Sequence, residues 1–160
     1  MSYKIYLAGK MGGLTYEGMN GWRNIIKTKI LETAKYSDTN VNIINPVSYY
    51  NFEEKKHQTE IEVEEFDLAH VISSDLIIVN IDGLNNSIGT IIELHDAHYH
   101  NKIPVIAFGS KEVYNNLHPW VKNDITRIEP NIDDVVNYIR DFYFFWRHRW
   151  NAWLYSRLLS

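Results

Sequence analysis

The sequence predicts an α/β fold in which a parallel, doubly wound sheet of about five strands is flanked by helices. Short apolar segments alternate with longer segments of helical periodicity along the chain. Two of the apolar segments, 75–81 and 104–109, are almost continuously hydrophobic, as strands buried on both faces are. A chain of 160 residues, 45% of them hydrophobic, can form one domain with a substantial core.

The first half of the chain contains two predicted strands and two predicted helices. Thr15 is a suitable N-cap after a glycine-rich loop, and Pro46 ends the second apolar run. A polar and aromatic loop then separates that run from the second helix. The predicted elements are a strand at 4–9, a helix at 16–35, a strand at 41–45 and a helix at 59–72.

The second half continues the alternation. Its predicted elements are a strand at 75–81, a helix at 88–101, a strand at 104–109, a loop or short helix at 114–122, a short strand at 126–128 and a long helix from Pro130. Right-handed crossovers would bring the carboxyl ends of all strands to one edge, as in flavodoxin-like or Rossmann-like folds. We therefore predict an α/β catalytic domain over 1–130 and a C-terminal aromatic and basic helix over 131–160, packed on the domain or on a subunit interface.

Composition excludes several classes of function. A formal net charge of −4 argues against a general nucleic-acid-binding protein, which would carry a basic face. The absence of cysteine excludes disulfides and thiolate chemistry and fits a cytoplasmic location. No signal peptide is evident, and no segment approaches the ~18 uncharged apolar residues of a membrane-spanning helix.

The segment 86–94 contains the leading candidate for catalysis, Glu93. A Ser-x-Gly-Thr turn follows a buried strand there and opens a helix, which is where α/β sheets bind ligands. Glu93 lies one turn into that helix, so we expect the helix N-terminus to keep its carboxylate ionised. Such a carboxylate can attack an anomeric carbon and form a covalent glycosyl intermediate.

Two further residues complete the predicted catalytic group. Asp67, late in the second helix, could serve as an acid or base beside Glu93, although its spacing fits a surface or capping aspartate equally well. Tyr6, on the first strand, could hold Glu93 in one rotamer through its hydroxyl. The sequence alone slightly favours a tyrosine that only fills the core.

Cofactor and metal sites are not expected. The glycine-rich loop 9–13 lacks the GxGxxG spacing of dinucleotide-binding folds, although its glycines would let a small ligand approach the backbone. His95 and His98 lie three residues apart on one helix, but no convincing further metal ligands lie nearby.

The tail is rich in aromatic and basic residues. Trp146, Trp150 and Trp153 fall on one helical stripe with arginines interspersed. We favour a helix packed on the domain or between subunits, and the alternative is an amphipathic helix that contacts a membrane surface or a partner protein.

Taken together, the motifs resemble those of the nucleoside 2-deoxyribosyltransferases, particularly the short members that open on Tyr-Leu-Ala-Gly-Pro. The similarity extends from about Lys4 to Trp120. The segments that carry it are Tyr6-Leu7-Ala8-Gly9, Gly13-Leu14-Thr15-Tyr16, Trp22-Arg23, Asn45-Pro46, Asp67-Leu68, Ser74-Asp75-Leu76, Ser87-Ile88-Gly89-Thr90 with Glu93, Pro104-Val105 and His118-Pro119.

The resemblance implies a double displacement on a 2′-deoxynucleoside without a cofactor. Glu93 would attack C1′ and release the base, Asp67 would handle protons and position the base, and Tyr6 would orient Glu93. A second, free nucleobase would then accept the deoxyribosyl group. The substrate contacts that it suggests are Gly9, Met11, Trp22, Ser87, Gly89 and Asn116.

The resemblance also implies a homo-oligomer, a dimer or hexamer with shared active sites. Asn116, with Asn115 as the alternative, matches an asparagine that binds the sugar 5′-hydroxyl from a neighbouring subunit.

Two residues depart from the usual pattern of the family. Lys10 replaces the common proline, and Ser87 stands where many characterised transferases have aspartate. Related nucleotide N-hydrolases use serine there to bind a 5′-phosphate, although other short transferase-like sequences carry serine as well. A phosphate would gain from Ser87, the helix N-terminus and Lys10.

Three functions therefore stay open at the level of sequence. The leading hypothesis is a deoxyribosyltransferase, the second a 2′-deoxynucleoside 5′-monophosphate N-hydrolase, and the third a non-catalytic nucleotide-binding module. Base preference is not predicted, because it depends on the shape of the loops at 11–22 and 47–58.

Overall fold

A computed structural model describes residues 2–51 and 53–145 and contains a five-stranded, all-parallel sheet. The strand order is β2-β1-β3-β4-β5. After β2, the chain therefore crosses to the other side of β1 and adds the remaining strands there. The strands are β1 (Tyr3–Gly9), β2 (Val41–Ile44), β3 (Leu76–Asn80), β4 (Val105–Phe108) and β5 (Arg127–Glu129). The predicted parallel α/β fold is confirmed.

Helices connect the strands and cover both faces of the sheet. They are α1 (Tyr16–Tyr36), α2 (Glu60–Ile72), α3 (Ile88–His95), α4 (Lys111–Asn115), α5 (Pro119–Asn123) and α6 (Ile132–Tyr138). The Thr15 hydroxyl accepts a hydrogen bond from the Gly18 amide at 3.1 Å, as its predicted role at the N-terminus of α1 requires. A capping box between Thr59 and Glu62 begins α2.

Most predicted element boundaries shift by a single residue, and three elements in the second half of the chain differ more. The third helix ends as α-helix at His95 and widens into a π-helical turn over Asp96–His100. The segment 114–122 overlaps two short helices, α4 and α5. The last helix begins at Ile132, because the Asn131 side chain accepts a hydrogen bond from the backbone of Asp134.

Side chains of β1 alternate between two hydrophobic cores, one on each face of the sheet. Ile5 and Leu7 point toward α1 and α6, where they pack with Ile26 and Val135. Tyr6 and Ala8 point to the opposite face, where α2, α3 and α5 supply Val71, Leu94 and Val121. This alternation directs Tyr6 toward the helix that carries Glu93.

The C-terminal part of the described chain packs on the α1 face. The helix α6 continues as a π-helical turn over Ile139–Phe144, and the buried Phe144 ring meets Tyr3 edge-on at 6.1 Å. The tryptophan stripe at 146–153 lies outside the described residues, and the predicted division at residue 130 stays a prediction. Within the described ranges, no helix is long and apolar enough to cross a membrane.

Candidate active site

Glu93 and Tyr6 form a buried pair between α3 and the sheet. The Tyr6 hydroxyl donates a hydrogen bond to Glu93 Oε1 at 2.8 Å. Tyr6 is fully buried and Glu93 is only 9% exposed. Because Tyr6 is on a central strand and packs in the core, it has little freedom to move, and it restrains the Glu93 carboxylate.

Burial controls the charge of this pair. Loss of solvent raises the pKa of Glu93 to about 8, with a further rise from Asp67 and opposing effects of the Tyr6 hydrogen bond and the Arg23 charge. Burial and the neighbouring Glu93 also raise the pKa of Tyr6 well above its ordinary value, so Tyr6 is a neutral donor. The expectation that the helix N-terminus keeps Glu93 ionised is therefore wrong. Glu93 is the sixth residue of α3, and the helix dipole acts mainly within the first turn.

Asp67 on α2 is the second buried carboxylate of the site, with 8% exposure. The hydroxyls of Tyr49 and Tyr50 both donate to its Oδ1, at 2.5 and 2.8 Å. Burial raises the pKa of Asp67, and the two hydrogen bonds oppose that rise. A carboxyl group poised in this way suits proton transfer.

The loop after β2 positions Tyr49 and Tyr50 next to Asp67. Asn45 Oδ1 accepts a hydrogen bond from the Val47 amide and caps a 3₁₀ turn over Pro46–Ser48. The Tyr49 ring then packs on Phe66 and stacks on His70, both on α2. These contacts set Tyr49 against the helix that carries Asp67.

A cavity of about 300 Å³ lies between α2 and α3 and contains both carboxylates. Its volume is at the lower end of the range for small-molecule sites. The lining residues are Glu60, Val63, Glu64, Asp67, Leu68, Ile88, Gly89, Ile92 and Glu93. The structure therefore brings Glu93, Asp67 and Gly89 together at one cavity, with Tyr6 directly behind Glu93.

Ser87 lies at the N-terminus of α3, close to this cavity. It is the residue before the first helical turn, and its hydroxyl lies 2.9 Å from that of Thr90. Gly89 has open space where a side chain would begin, with no atom from beyond its chain neighbours and its own helical backbone within 4 Å. The start of α3 is therefore accessible to a ligand.

Gly9, Met11 and Trp22 lie at the other side of the β1 terminus. Gly9 adopts φ +155°, and a Cβ there would approach the Trp22 ring to 3.0 Å, so the small residue is required. The Met11 carbonyl accepts a hydrogen bond from Leu14 and closes the following turn. Trp22 packs edge-on against Phe108 and lines a separate cavity of about 320 Å³ with Lys10.

Asn116 is apart from both of these cavities. It is exposed at the end of α4, and its carbonyl accepts a hydrogen bond from the Asn85 side chain at 3.0 Å. It lines a third cavity, of about 230 Å³, with Asn85 and Asn86. Within a single chain, Asn116 does not join the Glu93 cavity, and its role across subunits stays a prediction.

Sequence reasoning missed Tyr49 and Tyr50 as functional residues and did not assign a role to Arg23. The signal for the tyrosines was the aromatic composition of the loop after Pro46, but which carboxylate they meet depends on the tertiary packing of α2. Arg23 is fully buried, which is rare for arginine. The residues next to it in the sequence do not indicate this burial.

Groups of three or more metal-ligating side chains are absent from the ranges 2–51 and 53–145. His95 instead interacts with Asp124 at 3.2 Å and stacks on Tyr99.

Comparison with known proteins extends the description at the level of the fold. No protein-family model matches the sequence, and a search of curated proteins found no match either. A conserved protein from Enterococcus faecalis V583 has a similar structure, with a TM-score of 0.69 and 17% identity over 88% of this chain and 99% of that one.

A second similar structure is that of an enzyme. A 2-deoxyribosyltransferase from Bacillus psychrosaccharolyticus, characterised as a biocatalyst for nucleoside synthesis, matches with a TM-score of 0.56 and 21% identity. The match covers 84% of this chain and 91% of the enzyme. The fold that the sequence predicts is thus one that a 2-deoxyribosyltransferase uses, in agreement with the resemblance of the motifs.

Proposed function

We propose that the protein is a nucleoside 2-deoxyribosyltransferase that exchanges nucleobases on 2′-deoxyribonucleosides. The observation that carries the proposal is the Glu93 carboxylate, which borders a cavity, is held by Tyr6 and faces a site that also contains Asp67. The shared fold and the order of motifs support the same reaction class.

The proposed reaction has two balanced halves. A Glu93 oxygen forms a bond to C1′ as the bond between C1′ and the base nitrogen breaks, and the departing base takes the electron pair and a proton. Asp67 supplies that proton or positions the base that receives it. A second base then attacks C1′, releases Glu93 as a carboxylate and gives its proton back.

The pKa of Glu93 sets the expected pH dependence. Attack requires the ionised carboxylate, and a pKa of about 8 leaves roughly a tenth of the free enzyme ionised at pH 7. The value of kcat/KM for the nucleoside should therefore increase with pH over the range below about 8.

The first test is a base-exchange reaction. Purified protein is incubated with deoxyinosine or thymidine and free adenine or cytosine, and the products are separated by chromatography. We expect the deoxynucleoside of the acceptor base to form, and Glu93→Ala to reduce its formation by roughly three orders of magnitude or more. Full exchange activity in Glu93→Ala would disprove the covalent mechanism.

The second candidate is a 2′-deoxynucleoside 5′-monophosphate N-hydrolase. Ser87 favours it, since a neutral hydroxyl at the N-terminus of α3 accommodates a phosphate better than a carboxylate would. A parallel incubation with the 5′-monophosphates distinguishes the two reactions. Free base and deoxyribose 5-phosphate formed from monophosphates alone, without exchange, would favour the hydrolase. Tight binding without turnover in both incubations would leave a non-catalytic binding module.

The oligomer belongs to the same proposal. Asn116 is exposed and lies outside the Glu93 cavity of its own chain, as a residue that serves a neighbouring subunit would. Sedimentation analysis tests for the dimer or hexamer, and loss of exchange in Asn116→Ala with the oligomer intact would support a shared site.

A further inference from the structure

Arg23 is a buried cation behind the strand that carries Tyr6. It extends from α1 toward β1 and is fully shielded from solvent. Trp22 places its ring 4.4 Å from the guanidinium carbon. Burial lowers the pKa of Arg23 to about 10, so the side chain is still charged at neutral pH.

The position of Arg23 follows from where β2 ends. The last β2 residue paired with β1 is Ile44, opposite Tyr6, but β1 continues to Gly9. The Lys4 carbonyl accepts a hydrogen bond from the Asp75 backbone, just before β3, so the carbonyls of residues 5, 7 and 9 point to the β2 side. Beyond Ile44, the carbonyls of Leu7 and Gly9 therefore have no strand to pair with in the described part of the chain.

Arg23 pairs with these carbonyls in place of a strand. Its Nε donates to the Leu7 carbonyl at 3.1 Å and its Nη2 to the Gly9 carbonyl at 2.8 Å. Its Nη1 donates to the Met19 carbonyl on α1. The partners of the guanidinium among the described residues are thus backbone carbonyls, and its positive charge has no directly bonded carboxylate there.

A buried cation favours the ionised form of a nearby carboxyl group, and Glu93 lies on the face of the sheet opposite α1. Tyr6, whose hydroxyl holds Glu93, immediately precedes Leu7, whose carbonyl Arg23 holds. Arg23 therefore fixes the edge of β1 that β2 leaves unpaired, and the adjacent Tyr6 carries the Glu93 contact. The charges of Arg23 and Glu93 attract each other, which lowers the pKa of Glu93 against the effect of burial.

We propose that Arg23 is a positioning residue for Glu93, which fixes the end of β1 and compensates the negative charge that Glu93 carries when it attacks. Its catalytic consequence rests on the proposed function, whereas its effect on the ionisation of Glu93 does not. Arg23 acts through Tyr6, the strand and the electric field, and not by touching substrate.

Two substitutions separate the charge of Arg23 from its hydrogen bonds. Arg23→Gln keeps an amide donor for the carbonyls but is neutral. Arg23→Lys keeps the charge but lacks the planar guanidinium that donates to several carbonyls at once. Ile30→Val, in the core on the same helix, is the control for a small loss of packing. The ionisation of Glu93 is followed by ¹³C NMR of its carboxyl group, with Glu93→Gln to assign the signal, and by the pH profile of base exchange.

We expect Arg23→Gln to raise the pKa of Glu93 by about one unit and to lower exchange at pH 7 by about tenfold, with recovery at higher pH. Arg23→Lys should keep the pKa close to that of the wild type, and Ile30→Val should lower only the midpoint of thermal unfolding. Equal Glu93 pKa values in Arg23→Gln and the wild type would overturn the inference. If neither the wild type nor the variants exchange bases but the pKa of Glu93 measured by NMR increases in Arg23→Gln, the proposed function fails and the role of Arg23 stands.

If Arg23→Gln does not fold, Arg23→Lys carries the test alone. A lysine that folds, keeps the wild-type pKa of Glu93 and retains exchange within about tenfold would support the compensating charge. A pKa increase of about one unit in Arg23→Lys would contradict it, since the charge is still present.

Discussion

The two carboxylates of the candidate site are held in opposite ways. Glu93 receives one hydrogen bond, from a tyrosine on a central strand that is itself fully buried. Asp67 receives two, from Tyr49 and Tyr50, which are partly exposed and lie on the loop after β2. The first arrangement belongs to the core of the sheet, and the second depends on a loop that packs against α2.

This difference matches the two chemical tasks that we propose. A nucleophile must meet one carbon in one geometry, so a rigid strand is the better support. A proton-transfer residue must follow bases of different shape, and loops are where binding surfaces vary most readily. Under the proposed function, Glu93 would be the fixed carboxylate that meets the sugar and Asp67 the more adaptable one that meets the base.

After the loss of exchange expected for Glu93→Ala, the next largest effect is expected when Asp67 loses its acidity. Asp67→Asn keeps the size of the side chain but cannot transfer a proton, so base exchange should decrease by roughly 10²- to 10⁴-fold. Steady-state kinetics measure this change with two deoxynucleosides, one that carries a natural base and one whose base is a better leaving group. The decrease should be much smaller for the easily departing base, because that base needs little protonation.

Glu93→Ala is the matched comparison, since it should remove exchange for both kinds of base. An equal decrease of Asp67→Asn with both bases would show that Asp67 does not serve as the acid. Circular dichroism of each variant shows whether the fold is retained.

The rigid carboxylate should make stability depend on pH. The pKa of Glu93 is about 8 in the folded chain against an ordinary value of 4.5, so the folded state binds the proton more tightly. This contribution to stability is complete below pH 4.5 and is lost as the pH rises through about 8. Relative to Glu93→Gln, the wild type should therefore lose up to a few kcal/mol of unfolding free energy between pH 5 and about pH 9.

Urea denaturation of both proteins at several pH values gives this difference directly, and the titration of other groups cancels. A constant difference across the range would mean that burial does not perturb Glu93. Base exchange by the wild type should increase over the same pH range below about 8 in which its stability relative to the variant decreases.

Much of the fold was predictable from the sequence because local patterns and topology rules agree. Continuous apolar runs identify β3 and β4, and the alternation of strands and helices implies a parallel sheet. The same rules place Glu93 and the start of α3 at the carboxyl edge of the sheet, and both line the cavity between α2 and α3. The π-helical turn after His95 was not predictable, since its residues fit an ordinary helical pattern equally well.

The electrostatics of the site was not predictable in the same way. Whether Glu93 is ionised depends on burial among α2, α3 and the sheet, which no local pattern reports. The partners of Asp67 are 17 and 18 residues away along the chain and meet it only after the loop at 49–50 folds onto α2. Arg23 donates to carbonyls of β1 that lack a strand partner because β2 ends early. That early end is a feature of the assembled sheet.

The smallest effects should come from the tyrosine hydroxyls, and they sharpen the contrast between the two supports. Tyr6→Phe removes the hydrogen bond that lowers the pKa of Glu93, so that pKa should increase and exchange at pH 7 should decrease by about tenfold. Tyr49→Phe leaves Tyr50 on the same Asp67 oxygen, so exchange should decrease by only about threefold. Rate profiles over pH 6 to 9 distinguish the two, because raising the pH should restore the activity of Tyr6→Phe but not that of Tyr49→Phe.

The double variant Tyr49→Phe, Tyr50→Phe should lose more activity than the product of the single effects, since each tyrosine compensates for the loss of the other. Equal behaviour of Tyr6→Phe and Tyr49→Phe would mean that strand and loop support their carboxylates alike.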